Sequence, residues 1–224
     1  MKKLSKIDES AWGDMMRRSS GDTIRKENMV KTNEELKEII KNLYKEQGED
    51  DTLDVTSIAL GKKIICDDLS ELFEFYTDIT KIIGLDTWDV SNVTNMRNMF
   101  SYCENLTELN IGSWNVSSVT IIRSMFSHCK NLTELNIDNW DVSNVTDMRH
   151  MFDCCENLTE LNIDNWDVSN VTYVMDMFNH CKNLKELNID NWDVSKVIDM
   201  DGMFFDCGKL NKKPIWYKPI WYKR

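Results

Sequence analysis

Acidic and amide side chains recur along the second half of the sequence at a fixed interval of 26 residues. Glu108, Glu134, Glu160 and Glu186 form one row, and Asn110, Asn136, Asn162 and Asn188 a second. Asp138, Asp164 and Asp190 form a third, with Gly112 in its first place. Carboxylates beside amides offer oxygen ligands to divalent cations and a complementary surface to a basic protein patch. The same rows are also what duplication of a soluble surface unit leaves behind, with the Asn row bonding along itself. Both readings stay open on the residues alone.

A thiol column has the same interval: Cys103, Cys129, Cys155, Cys181 and Cys207. Adjacent members of a stack would be near enough for disulfides. Each, however, falls at an apolar position of its unit, where a free Cys behaves as a small buried hydrophobe. The C-x2-4-C spacing of zinc sites is absent. The preceding residues are Tyr102, His128, Cys154, His180 and Asp206, and His128, Cys154 and His180 are a conceivable soft-cation set. Two repeats separate the two histidines, about 10 Å at strand spacing, too far for one ion. No metal and no cofactor is expected. A Gly-rich phosphate loop, HExxH and GxSxG are all missing, so no enzyme is expected and no residue is assigned a catalytic role.

The elements that must position these rows follow from the repeat itself. Trp88, Trp114, Trp140, Trp166 and Trp192 are 26 apart, and a Val column (Val93, Val119, Val145, Val171, Val197) keeps step. So do Met99-Phe100, Met125-Phe126, Met151-Phe152, Met177-Phe178 and Met203-Phe204. Within a unit, Val93, Met96, Met99, Phe100 and Cys103 have helical i, i+3, i+4 spacing. Leu106, Leu109 and Ile111 end in period-2 alternation, as in a short strand. Asp89-Val-Ser91 supplies turn chemistry between the two. One such unit cannot bury its own apolar face, but stacked units can. The expected fold is α/β: a leucine-rich-repeat solenoid with a parallel concave sheet, helices on the convex side and an N-terminal helical cap. Leu109 and Ile111 point inward, so the Glu, Asn and Asp rows point outward on the concave face.

The unit Trp140-Asp-Val-Ser-Asn-Val-Thr-Asp-Met-Arg-His-Met-Phe-Asp-Cys-Cys-Glu-Asn-Leu-Thr-Glu-Leu-Asn-Ile resembles the BspA-like leucine-rich repeat over residues 88–210. That family is found in bacterial surface proteins and lipoproteins, including mycoplasma ones. The resemblance implies an interaction or adhesion surface without catalysis, and by itself implies a cell-surface location.

Residues 31–87 read as a helical cap with a degenerate first repeat. Thr32-Asn-Glu-Glu35 is a capping box, Leu36, Ile39, Ile40 and Leu43 give an apolar stripe, and Gly48 ends the helix. Leu69, Leu72, Phe73, Tyr76 and Ile79 match Met96, Met99, Phe100, Cys103 and Leu106 at an offset of 27, and Ile83-Gly-Leu85 then matches Leu109-Asn-Ile111 at 26. The one inserted residue is thus expected between Ile79 and Ile83. Residues 1–30 are expected to be a flexible extension, with an apolar knot at Ala11-Trp12 and Met15-Met16. Residues 211–224 form a basic aromatic tail in which Pro-Ile-Trp-Tyr-Lys occurs twice. Trp216, Tyr217, Trp221 and Tyr222 are its contact residues, expected to cover Met203, Phe204 and Phe205 or to hook another chain or a single-stranded nucleic acid.

The chain has 224 residues and a net charge of -11. Residues 88–210 carry 8 Lys and Arg against 19 Asp and Glu, whereas residues 211–224 carry 5 against none. Such an acidic body repels nucleic acid and anionic membrane, so a basic protein is the expected partner. No run approaches a membrane span, and the charged opening is no secretory signal, so a cytoplasmic or virion-associated location is expected. Seven Cys, an odd count, favour free thiols. The expected function is a non-enzymatic scaffold that binds protein through its acidic concave face. The alternative is a structural subunit of a phage virion or surface assembly, anchored by its N-terminal segment.

Overall fold

The computed structural model describes residues 32–48, 51–58 and 66–218. The N-terminal extension 1–30 lies outside them, as do Trp221 and Tyr222. The chain opens with α1 (Asn33–Glu46), whose N-cap Thr32 accepts a hydrogen bond from the Glu35 amide. Gly48, at φ 87°, closes it in the left-handed region where a side chain would be strained. Leu36, Ile40 and Leu43 are buried against the body. Asn33 Nδ2 donates to the Ser70 carbonyl at 2.7 Å, and Tyr44 meets Tyr76 edge-on at 5.2 Å. The helix therefore covers the first repeat, as its apolar stripe predicts.

Four short strands follow: β1 (Thr52–Asp54), β2 (Lys81–Ile83), β3 (Glu108–Leu109) and β4 (Glu134–Leu135). They pair in parallel in the order β1-β2-β3-β4, forming a mixed α/β architecture with an open sheet. Glu108 lies beside Glu134 and Leu109 beside Leu135, a register shift of one unit. A further bridge joins Glu160 to Glu186. A second parallel ladder runs through Asp68, Asn95, Ile121, Asp147, Tyr173 and Asp199. The second ladder runs unbroken through these six units, and strand pairing ties most neighbouring rungs a second time.

The expected insertion in the first repeat is misplaced. Lys81 pairs with Glu108, so Ile82 is the counterpart of Leu109 and Ile83 is left 41% exposed. The extra residue is Gly84, at φ 96°, where a Cβ would lie 2.6 Å from the Thr56 backbone nitrogen. Strand β1, one rung further upstream, carries no repeat signature and was not anticipated.

The expected convex helices are not there: among the described residues, no repeat contains an α-helix. The segment Met96–Cys103 is instead a chain of tight turns. Amides of Met99, Ser101 and Cys103 donate three residues back, to Met96, Asn98 and Phe100. Alternate amides leave the rung altogether. Those of Met96, Asn98, Phe100 and Tyr102 donate to Ile121, Arg123, Met125 and Ser127 of the next unit, at 2.8–2.9 Å. Two residues per unit have positive φ: Asn98 and Tyr102, Ser124 and His128, His150 and Cys154, Asp176 and His180, then Gly202 and Asp206. The apolar spacing still puts Met96, Met99, Phe100 and Cys103 wholly inside. Stacking explains the choice. Phe73, Phe100, Phe126, Phe152, Phe178 and Phe204 stack with centroids 5.3–5.7 Å apart. A helix about 10 Å across could not repeat at that interval.

Two more columns tie the rungs together. Trp114, Trp140, Trp166 and Trp192 each donate Nε1 to the carbonyl 29 residues upstream (Leu85, Ile111, Ile137, Ile163) at 2.8–3.2 Å. Trp88 Nε1 is buried without an acceptor among the described residues, and position 59, the equivalent place, lies outside them. Every ladder thiol is buried and free, and donates to a Phe carbonyl one rung back: Cys103 to Phe73, Cys129 to Phe100, Cys155 to Phe126, Cys181 to Phe152, Cys207 to Phe178, at 3.0–3.1 Å. The column is a set of small apolar plugs, each adding a second, weak donor to a Phe carbonyl that already accepts a backbone amide.

Candidate functional site: the acidic strand face

Alternation along the strands sets this face. Leu109, Leu135, Leu161 and Leu187 are buried, while Glu108, Glu134, Glu160 and Glu186 between them and the preceding Thr or Lys are exposed. Asn110, Asn136, Asn162 and Asn188 are exposed in the next outward row, as are Asp164 and Asp190, with Asp138 half-buried. All the expected strip residues therefore share one face. Gly112 interrupts the Asp row, and a Cβ there would stand 3.0 Å from the Asn136 carbonyl oxygen.

Shallow hollows run along it, among them three lined by described residues of the strip. The first, about 400 Å³, lies between Lys81, Glu108, Asn110 and Glu134. A central one of about 240 Å³ is lined by Glu134, Asn136, Asp138, Glu160 and Asn162. The third, about 300 Å³, lies between Glu186, Asn188 and Asp190 and the tail residues Lys212, Lys213 and Pro214.

The strip is not uniform in charge. At its β2 end, Glu108 forms an ion pair with Lys81, a lysine that the sequence reading passed over. At the far end, Asp190 is taken by the tail: Lys212 Nζ reaches Oδ2 at 2.7 Å, and the Ile215 amide donates to Oδ1 at 2.8 Å. These two donors hold the Asp190 carboxyl below its ordinary range. Asp190 is therefore an anchor for the tail rather than an open contact residue. Between the ends, no ion pair among the described residues engages Glu134, Glu160, Asp164 or Glu186. The middle of the face is uncompensated acid.

The amide ladder that forms is a different one. Asn131 Nδ2 donates to Asn105 Oδ1, Asn157 to Asn131 and Asn183 to Asn157, at 3.1–3.3 Å. That column closes each unit just before its strand, and leaves the Asn110 row free to face solvent.

A family model matches residues 67–160 and again 123–217, more than half of the chain; its description is Mycoplasma protein of unknown function, DUF285. The chain belongs to that family. No curated protein matches the sequence. The DUF285 matches begin in the degenerate first repeat and end in the tail, so they take in the rungs from β2 onward and leave out α1 and β1. The tail's role in this DUF285 chain is partly as expected. Tyr217 meets Phe204 edge-on at 4.9 Å, and Met203 and Phe204 are buried. Phe205, however, stays 57% exposed, because it stands at an outward position of its turn beside His180. Among the described residues, no helix is long and apolar enough to cross a membrane.

Proposed function

We propose that this DUF285 chain is a leucine-rich-repeat solenoid of the BspA-like type, and that it works as a non-enzymatic scaffold binding a basic protein along its acidic strand face. One observation carries the reading: Glu134 and Glu160 stand exposed on the central hollow, with Asp164 exposed on the same face, and none of the three has an ion-pair partner among the described residues. A rigid row of like charges loses little conformational entropy on binding, and draws an oppositely charged partner from a distance. Retaining such a row carries a cost in folding, since like charges on paired strand positions repel. An interaction surface gives that cost a purpose.

The experiment compares the wild-type chain with the triple variant Glu134→Lys, Glu160→Lys, Asp164→Lys as immobilised bait in an extract of the native source. Loss of the captured basic protein with a nearly unchanged thermal melt supports the strip. Capture that survives the triple change rejects it.

A further inference from the structure

We propose that His128, Asp153 and Cys154 form a binding site for a divalent cation of the zinc class. Their ligand atoms, a ring nitrogen, a carboxylate oxygen and a thiol sulfur, all lie within 4.8 Å of one another. In a tetrahedral zinc site with bonds of about 2.0–2.3 Å, such atoms stand roughly 3.3–3.8 Å apart. Side-chain rotations of about 1 Å therefore close the set around one ion. Imidazole, thiolate and carboxylate together suit a borderline-soft metal and not calcium or magnesium, which take oxygen.

The fold explains why these three meet. His128 and Cys154 occupy the second positive-φ position of consecutive units, at φ 62° and 59°. In the same column, Phe75 stacks on Tyr102 at 4.9 Å and Tyr102 on His128 at 4.2 Å, so neighbours along it come into contact. Asp153 is next to Cys154 in sequence, and the Cys154 Sγ lies 3.4 Å from its Oδ1. Elsewhere these two positions hold Ser101 and Tyr102, Ser127 and His128, Asn179 and His180, or Phe205 and Asp206. Among the described residues, nitrogen, oxygen and sulfur donors converge only where His128 meets Asp153 and Cys154. All three histidines of the chain stand on this side of the stack, on the turns and away from the acidic strip.

The surroundings already hold the ligands. Ser127 Oγ is 2.9 Å from His128 Nδ1, and Tyr102 covers the ring. His150 Nδ1 is 3.4 Å from Asp153 Oδ2. Such outer contacts orient metal ligands. A bound cation would take the Cys154 sulfur as thiolate, its proton passing to solvent.

The test uses the full chain, stripped with a chelator and titrated with Zn2+ against a chromogenic competitor. One zinc per chain is expected, with a rise in melting temperature. Co2+ in its place should give the visible bands of a tetrahedral thiolate site. Cys154→Ser, His128→Gln and Asp153→Asn should each weaken binding at least about tenfold, with unchanged circular dichroism. His180→Gln should not. Absence of stoichiometric uptake overturns the site, as does affinity that survives both Cys154→Ser and His128→Gln. Neither result bears on the acidic strip, which shares no residue with it.

Discussion

Trp216 stacks on Trp192 with ring centroids 6.3 Å apart and planes 11° from parallel, and donates Nε1 to the Ile189 carbonyl at 2.8 Å. It follows Trp192 by 24 residues, outside the 26-residue period, yet it makes the contacts of the next tryptophan in the column. The first Pro-Ile-Trp-Tyr of the tail thus imitates a rung without being one, and so ends the stack. Trp216→Ala should strip that cover from Trp192 and leave the Ile189 carbonyl with the Trp192 amide alone as donor. Loss of a large aromatic contact predicts destabilisation of about 3 kcal/mol. Hydrogen exchange should show fraying confined to the last unit, and uniform exchange along the chain would contradict the capping role.

Buried thiols make the fold sensitive to alkali. Burial pushes Cys103 up to about 12, Cys207 up to about 11, and Cys129, Cys155 and Cys181 well above the ordinary value of 9.0. Below pH 9 the thiols are protonated in both states and their contribution is fully present. Above it the unfolded chain releases protons that the native chain keeps, so stability falls as pH rises from 9 toward 11–12. The slope is on the order of 1.4 kcal/mol per thiol per pH unit. Urea midpoints should stay level up to pH 8 and drop steeply above 9. Cys129→Ala, measured against its own neutral value, should drop less steeply, and a wild-type profile flat to pH 11 would contradict thiol burial.

Much of this architecture is legible from residue spacing, and the failures share one cause. The columns Trp114, Phe126 and Cys129 give the stacking and the core because burial is what a repeat conserves along itself. Spacing of i, i+3, i+4 cannot tell a helix from a run of tight turns, since both turn the same residues inward. The signal that separates them lay in the outward residues: Asn98, Ser124, His150, Asp176 and Gly202 form a column tolerant of positive φ, which a helix never requires. Likewise, Asp153 meets His128 across neighbouring rungs, so no local motif announces the pair. The strip was readable from alternation, but its neutralised ends were not, because Lys81 and Lys212 reach Glu108 and Asp190 from outside the repeat.

That column gives a prediction at Ser124, where φ is 56°. A side chain in the left-handed region costs about 1 kcal/mol or more, and glycine escapes it. Ser124→Gly should leave stability unchanged or raise it by about 0.5–1 kcal/mol. Ser124→Val, branched at Cβ, should lower it by about 1–2 kcal/mol. Chemical denaturation reads both, and the opposite order would mean that the segment is helical, where glycine is the costly residue.

The acid row predicts a response to salt. Glu108 lies directly beside Glu134 in the parallel register, and Glu160 beside Glu186. Parallel strands about 4.8 Å apart hold these exposed carboxylates inside the screening length at any ordinary ionic strength. Raising sodium chloride from 0.01 M toward about 0.15 M shortens that length from about 30 Å to 8 Å, so the wild-type melting temperature should climb. Glu134→Gln removes the member of the row that has an acidic partner in β3 and no lysine of its own. It should stabilise by a few tenths of a kcal/mol and flatten the salt response, whereas Glu108→Gln should gain less, because it also gives up Lys81. Equal effects at the two positions would show that the row repels as a diffuse field and not through its paired neighbours.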